Sequence, residues 1–213
     1  MKTLIVYCHP SENSFTREVR DAFIRGLKEG GHCYQLSDLY QMGFQTDLSK
    51  EEYLREGFYQ DEKPISEDVK KEQEKIQWAD SIAFIYPVFW TEAPAKLVGW
   101  FQRVWTYGFA YHQVEKGLPQ MKQLERAVFL VTMGADLQEQ GRKEEVEAME
   151  TVMLEDRINW RAKQKDMIIF EQMTRGYGNE VVREKNRERY LKEVYWIGRK
   201  FGEQESGPCE ELN

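Results

Sequence analysis

Five side chains that can hydrogen-bond an anion lie within eight residues near the start of the chain. His9, Ser11, Asn13, Ser14 and Thr16 offer imidazole, hydroxyl and amide groups around the start of a predicted helix. The first backbone N–H groups of a helix have no partner inside the helix, so they can bind an anion as well. The turn therefore predicts a phosphate site, unless Ser14 or Asn13 only caps the helix and His9 is an ordinary loop residue. Neither G-x-G-x-x-G nor G-x-x-x-x-G-K-[ST] occurs there, so the sequence supports neither a Rossmann site nor a P-loop.

Large flat side chains crowd the stretch YPVFWTEAPAKLVGWFQRVWTYGFAYH, residues 86–112. It begins at the end of a predicted buried strand and continues into helical spacing that starts near Pro94. Between the two, Val88 to Thr91 should have backbone N–H groups that are not yet committed to the helix, and a planar ligand could lie against them. Ordinary packing would explain this turn taken alone. With the phosphate-like turn beside it, the pattern suggests a ligand with a flat ring at one end and phosphate at the other.

Strand and helix patterns alternate along the chain, which predicts an α/β fold with a doubly wound, five-stranded parallel sheet and helices on both faces. Strands are predicted at 3–8, 33–38, 81–87, 126–133 and 166–173. Helices are predicted over about 14–29, 66–78, 94–107, 144–157 and 180–201. Ligands of such sheets bind beyond the carboxyl ends of the strands, where the first, third and fourth strands are followed here by unusual turns.

A length of 213 residues suits one domain, which we assign to residues 1–203, and residues 204–213 are predicted to be a disordered tail. Residues 41–63 interrupt the alternation with a polar, acid-rich excursion that contains four aromatic residues. It is too long for an ordinary connection, so we interpret it as a functional lid or a dimer arm.

The composition argues against several classes of protein. Thirty basic and 37 acidic residues give a net charge of −7, which disfavours nonspecific binding to nucleic acid or to an anionic membrane. No apolar run is long enough for membrane insertion. Cys8, Cys33 and Cys209 are scattered, which fits neither a disulfide framework nor a metal site and favours the reducing cytoplasm. Cys8, at the end of a strand, is expected to be a buried and inert thiol.

Three stretches together resemble the NAD(P)H:quinone oxidoreductase family, whose members have a flavodoxin-like fold. They are LIVYCHPSENSF, SDLYQMGF and YPVFWTEAPAKLVGWFQRVWTYGFAY, and the resemblance extends over roughly residues 3–200. It implies a bound flavin, FAD or FMN, with NAD(P)H as co-substrate and a quinone-like acceptor. It also implies a homodimer and a ping-pong transfer of hydride from the nicotinamide to flavin N5 and on to the acceptor.

The resemblance further assigns roles to single residues. It implies that the flavin phosphates are held by His9, Ser14, Phe15 and Thr16, that the isoalloxazine ring is lined by Pro87, Val88, Phe89 and Trp90, and that its pyrimidine side contacts Thr132, Met133 and Gly134. Tyr111 matches a position that reaches into the partner's site, and the acceptor pocket would be walled by Trp90, Tyr107, Phe109 and Tyr111. Arg183 lies at about the offset of an arginine near the adenine of FAD, which favours FAD over FMN.

The turn after the fourth strand departs from the family. The family has Thr-Gly-Gly followed by a Tyr and a His, whereas this chain reads TMGADLQEQGRKEE. We expect the backbone N–H groups of Thr132 to Gly134 to stabilise the negative charge that builds on the flavin instead. Two other functions stay open at this point: a flavin-binding accessory subunit of a potassium-efflux-type system, and a one-electron carrier of the flavodoxin type.

Overall fold

The computed structural model describes residues 1–113, 117–176 and 179–202, so the predicted tail lies outside the described residues. Five parallel strands form one sheet in the order β2-β1-β3-β4-β5 within this part of the chain. The strands are β1 Lys2–Tyr7, β2 Cys33–Asp38, β3 Ser81–Pro87, β4 Leu124–Thr132 and β5 Ala162–Phe170. The strand order reverses between β1 and β3, so the prediction of a doubly wound parallel sheet is confirmed.

Six α-helices accompany the strands in the described residues. They are α1 Phe15–Glu29, α2 Lys50–Gly57, α3 Glu67–Trp78, α4 Ala95–Val104, α5 Arg142–Glu150 and α6 Glu180–Arg199. The predicted fourth helix, 144–157, is partly wrong in type, because α5 passes into a π-helix over Thr151–Ile158 and a short 3₁₀ turn over Asn159–Arg161. Helix α2 was not predicted, and it lies with α3 between β2 and β3.

Each face of the sheet has its own apolar core. The core under α1 and α6 contains Phe23, Phe170 and Val194, all fully buried. Gly26 of α1 allows these helices to pack closely, because a Cβ there would lie 2.1 Å from Tyr195 O on α6. The opposite face packs α3, α4 and the π-helix over a second core centred on aromatic side chains such as Trp100. The packing of α1 against α6 and the sheet places the start of α1 at the carboxyl edge of the sheet.

The excursion at 41–63 contains α2, which is fixed to the end of α4 by buried charges. The Arg103 side chain on α4 is 4% exposed and pairs with Glu52 of α2 at 2.6 Å and with Asp68 of α3 at 2.5 Å. Arg55 of α2 donates from Nη2 to the carbonyl of Tyr107 at 3.2 Å. Removing one partner of a buried ion pair is costly, so these contacts hold α2 firmly in this structure.

Candidate functional site

A cavity of about 300 Å³ opens at the carboxyl edge of the sheet, between the turns that follow β1, β3, β4 and β5. It is lined by His9, Asn13, Ser14, Phe15, Thr16, Pro87, Val88, Thr132, Met133, Gly134, Met173, Thr174, Arg175 and Arg183. Eleven of the residues singled out in the sequence lie in this lining, namely His9, Asn13, Ser14, Phe15, Thr16, Pro87, Val88, Thr132, Met133, Gly134 and Arg183. Phe89, Trp90 and Tyr111 do not.

The start of α1 supplies backbone donors to the cavity. Ser14 is the N-cap, since its Oγ accepts from Arg17 N at 3.1 Å, and the same hydroxyl donates to Ser11 O at 3.3 Å. The capping interpretation of Ser14 is therefore confirmed, and its hydroxyl is already committed. The N–H groups of Phe15 and Thr16 have no acceptor among the described residues. These two amides, at the positive end of a 15-residue helix, are free to donate to an anion.

His9 is held by its own turn. Its Nδ1 lies 2.9 Å from Ser11 N and 3.0 Å from Ser11 O, so it accepts from the amide in one tautomer and donates to the carbonyl in the other. Burial lowers the pKa of His9 below its ordinary value, so the ring is neutral near pH 7. A neutral ring that accepts at Nδ1 carries its proton on Nε2. Nε2–H is then the donor that His9 can offer to a ligand in the cavity.

The turns after β4 and β5 are joined by backbone hydrogen bonds. Met133 N donates to Phe170 O at 2.9 Å, Gln172 N to Ala135 O at 2.9 Å, and Met173 N to Met133 O at 3.0 Å. The expectation that Thr132 to Gly134 all offer free amides is therefore wrong for Met133. Gly134 N–H has no acceptor among the described residues and is a free donor in the cavity lining.

Gly134 is required by the close approach of the β5 turn. A Cβ at this position would lie 1.9 Å from Thr174 Oγ1, well inside contact distance. On the other side of the turn, the hydroxyls of Thr132 and Thr16 lie 2.8 Å apart and join β4 to α1. The cavity floor is thus a tight junction of three chain segments.

The turn after β3 is more closed than the sequence suggested. Val88 N donates to Thr132 O at 2.9 Å and Phe89 N donates to Glu92 O at 3.0 Å, so the expected free amides are wrong at these two positions. Trp90 has a φ of +60° and is 96% exposed, and Phe89 is about half exposed. Both side chains lie outside the cavity lining, on the surface beyond Val88.

The end of α4 differs from its predicted role as a pocket wall. Tyr107 and Phe109 are buried within this chain, so the expectation that they wall an acceptor pocket is wrong. Tyr111 donates its hydroxyl to Glu56 Oε2 at 2.9 Å, and Glu56 also accepts from Tyr107 N at 2.7 Å. Burial, and then the hydrogen bond to Glu56, raise the pKa of Tyr111.

Sequence reasoning missed the turn after β5. The strand was predicted to continue to Met173, but it ends at Phe170 and leaves Met173, Thr174 and Arg175 in the cavity lining. The rule that ligands bind beyond strand ends would have found them if the end of the strand had been placed correctly. Arg175 and Arg183 have no carboxylate partner among the described side chains, and Arg183 Nε donates to Met173 O at 3.4 Å.

A second cavity of about 270 Å³ adjoins the first and shares Asn13, Ser14 and Arg175 with it. Its remaining lining is charged and comprises Glu12, Arg17, Glu18 and Asp21. A ligand longer than the first cavity could continue past Arg175 into the second.

Other candidate chemistry is limited in the described part of the chain. Cys8 is fully buried, which confirms its predicted burial, and that burial raises its pKa to about 12, so the thiol stays protonated near pH 7. No group of three or more His, Cys, Asp or Glu side chains is placed to hold a metal within residues 1–113, 117–176 and 179–202. Over the same ranges, no helix combines the length and apolar character needed to cross a bilayer.

Comparison with known proteins places this geometry in a family. The model of a family described as having a flavodoxin-like fold matches residues 1–194. The solved NAD(P)H:quinone oxidoreductase from Methanothermobacter marburgensis is 40% identical, with a TM-score of 0.85 over 97% of this chain and 98% of that one. General stress protein 14 from Treponema denticola, solved in complex with FMN, is 21% identical with a TM-score of 0.60 over 91% of this chain and 98% of its own, so it shows the fold alone.

Curated relatives match a shorter part of the chain. NAD(P)H dehydrogenase [quinone] 1 from Cavia porcellus is 32% identical over 151 residues, which are 62% of this chain and 53% of that protein. The chain spans about half the length of the first curated relatives it matches, 46% and 53%.

Proposed function

Because the chain belongs to the family with a flavodoxin-like fold, we propose that its cavity binds a flavin and that it is a flavin-dependent NAD(P)H:quinone oxidoreductase. The observation that carries this proposal is the convergence of free donors in one cavity. The N–H groups of Phe15, Thr16 and Gly134 have no acceptor among the described residues, although they come from turns after different strands. Such donors fit a ligand that carries phosphate at one end and a polar ring at the other.

The phosphate end would lie at the start of α1. Phe15 N–H, Thr16 N–H and His9 Nε2–H donate there, and the guanidinium groups of Arg175 and Arg183 add positive charge. Arginine without a carboxylate partner is suited to bind phosphate through paired N–H donors. This arrangement supports a site for a doubly charged group.

The ring end would lie between Pro87, Val88 and the turn Thr132–Gly134. When bound, the flavin would supply the redox chemistry, because it would take up a hydride from NAD(P)H with a proton and give both to a quinone-like acceptor in a ping-pong cycle. The chain would orient the ring against Val88 and place Gly134 N–H where negative charge develops. The missing family Tyr and His are replaced in this proposal by one backbone donor.

The adjoining cavity supports FAD over FMN. A volume of about 300 Å³ lies at the lower end of the range for small-molecule sites, so the first cavity suits a mononucleotide. The second cavity, reached past Arg175, could take an adenosine, and the carboxylates of Glu12, Glu18 and Asp21 could accept from an exocyclic amino group there. Arg183 would then lie beside the phosphates that link the two halves.

The acceptor and the nicotinamide would stack outside the cavity mouth. Trp90 and Phe89 are the exposed aromatic side chains next to Val88, and flat rings can pack on them. We also propose a homodimer in the cytoplasm. The apolar surface that supports the dimer is the exposed aromatic set Tyr53, Phe58 and Tyr59, on α2 and just after its end.

The proposal is tested by measuring flavin binding in arginine variants and quinone turnover in the flavin-loaded protein. Arg183→Ala should weaken flavin binding about tenfold or more, because a charged hydrogen bond contributes roughly 1.5–3 kcal/mol. Arg189→Ala on the same helix, exposed and away from the cavity, is the matched control and should bind flavin normally. Parallel lines in initial-rate plots with NAD(P)H and a quinone would support the ping-pong cycle. Tight flavin binding without turnover on any quinone would instead indicate an accessory subunit.

A further inference from the structure

Arg157 of the π-helix Thr151–Ile158 contacts Glu92, which lies before α4, and Trp105, the residue just after it. We propose that this segment positions the exposed turn that carries Trp90. Arg157 is then a positioning residue for the flat ring, of the nicotinamide or of the acceptor, that stacks on that turn. The role in acceptor or nicotinamide binding rests on the proposed function, whereas the positioning itself can be tested on the protein without flavin.

The Trp90 turn needs support because its backbone is strained. Trp90 has a φ of +60°, a region that residues with a Cβ rarely adopt, and the turn is closed by Phe89 N to Glu92 O at 3.0 Å and Glu92 N to Phe89 O at 3.2 Å. The Trp90 side chain is 96% exposed, so its own packing contributes almost nothing to holding this conformation. Contacts from outside the turn must therefore favour it.

Arg157 supplies such a contact at the start of α4. Its Nη1 lies 3.5 Å from Glu92 Oε1 and 3.0 Å from Met153 Sδ, and its guanidinium lies 5.2 Å from the centre of the Phe101 ring. Glu92 Oε1 also accepts from Ala93 N at 2.9 Å, which fixes the carboxylate that Arg157 reaches. The guanidinium is thus stacked on α4 and directed at the last residue of the turn.

The carbonyl of the same residue contacts the other end of α4. Arg157 O accepts from Trp105 Nε1 at 2.6 Å and from Arg161 Nη1 at 3.3 Å. It is available because Arg157 lies in the last turn of the π-helix, where carbonyls lack donors within the helix, and Asn159, with a φ of +49°, redirects the chain. The irregular segment therefore contacts the chain just before α4 and just after it. π-helical turns are frequent at functional sites, which agrees with this role.

Amide hydrogen exchange of the flavin-free protein tests the proposal. Arg157→Met should increase exchange at Phe89 and Glu92 by about two- to fivefold, the range expected for loss of a partly exposed ion pair. Arg157→Lys, which keeps the charge, should restore part of the protection. Arg126→Met is the matched control, because Arg126 also pairs with a carboxylate, Asp166, and also lies over a phenylalanine ring.

Unchanged exchange at Phe89 and Glu92 in Arg157→Met would overturn the proposal, as would an equal change in Arg126→Met. In the flavin-loaded protein, Arg157→Met should raise the KM for the acceptor at least twofold and leave flavin affinity unchanged, because Arg157 does not line the cavity. Wild-type protein that binds no flavin would refute the proposed function but not the exchange result, so the two failures are distinguishable.

Discussion

Replacing Trp90 with glycine should stabilise the protein while it impairs turnover. The substitution removes a side chain that is 96% exposed, so almost no buried apolar area is lost. It also removes the Cβ that disfavours the observed φ of +60°. Trp90→Ala removes the same indole but keeps the Cβ, which makes it the matched control for strain.

The magnitude follows from two opposing contributions. The left-handed region costs a residue with a Cβ about 1–2 kcal/mol, which glycine recovers. Glycine in turn costs about 0.5–1 kcal/mol through the larger freedom of the unfolded chain. We therefore expect Trp90→Gly to gain roughly 0.5–1 kcal/mol over wild type by these two terms. Trp90→Ala should stay within about 0.5 kcal/mol of wild type.

Urea and thermal unfolding of the three proteins measure this difference. For a chain of 213 residues, about 1 kcal/mol corresponds to a rise of roughly 2–4 °C in Tm. The scans should be repeated at several protein concentrations, since a lost contact between subunits would make Tm depend on concentration. Both variants should raise the KM for a quinone, because the exposed stacking surface is gone.

The result that refutes this reasoning is a glycine variant no more stable than the alanine variant. It would mean that the turn is not strained at Trp90, and it would remove one argument for support of the turn by Arg157. An unchanged KM for the quinone in both variants would not bear on the strain, but it would show that Trp90 has no role in quinone binding.

Three further predictions concern the cavity and the end of α4. Gly134→Ala should weaken flavin binding at least tenfold, and adding Thr174→Ala should restore much of it, because the clash at 1.9 Å is with the Thr174 hydroxyl; titration of flavin fluorescence gives both values. Affinity for FAD should increase as pH falls from about 7.5 toward 6. Burial lowers the pKa of His9 in the flavin-free protein, whereas a bound phosphate favours the protonated ring, so binding takes up a proton. Riboflavin, which lacks phosphate, should show no such increase. Glu56→Gln should lower the free energy of unfolding, measured in urea, by about 3 kcal/mol, because it leaves the buried Arg55 without its carboxylate and weakens the Tyr111 hydrogen bond. Glu51→Gln, on the exposed side of α2, is the control and should leave the stability unchanged.

Most of the fold could be predicted from the sequence, because the strands and long helices have strong local patterns. β3, SIAFIYP, is buried at every position, and its bounds were predicted correctly from its apolar run. Helix α2 was missed although Ser49 and Glu52 form a capping box, since the short helix has a polar composition and is held by long-range ion pairs. The π-helix was missed because no sequence pattern separates it from an α-helix.

Part of the candidate site could also be predicted from the sequence, and part could not. Ser14, in the turn beyond β1, and Thr132, the last residue of β4, were found because the turn chemistry and the strand rule both identify them. Which amides remain free could not be predicted, since the partner of Met133 N is a carbonyl 37 residues away at Phe170. The burial of Tyr107 within its own chain was likewise unpredictable, because it depends on α2 packing against the end of α4.

The most direct test of the central claim is equilibrium flavin binding by the purified, flavin-stripped protein. Titration with FAD, FMN and riboflavin, followed by fluorescence quenching, should give a Kd for FAD of micromolar or lower at one site per chain. We expect FMN to bind more weakly than FAD, since it leaves the cavity beyond Arg175 empty, and riboflavin to bind most weakly, since it lacks phosphate. No quenching with any of the three flavins, in protein shown by circular dichroism to be folded, would contradict the account.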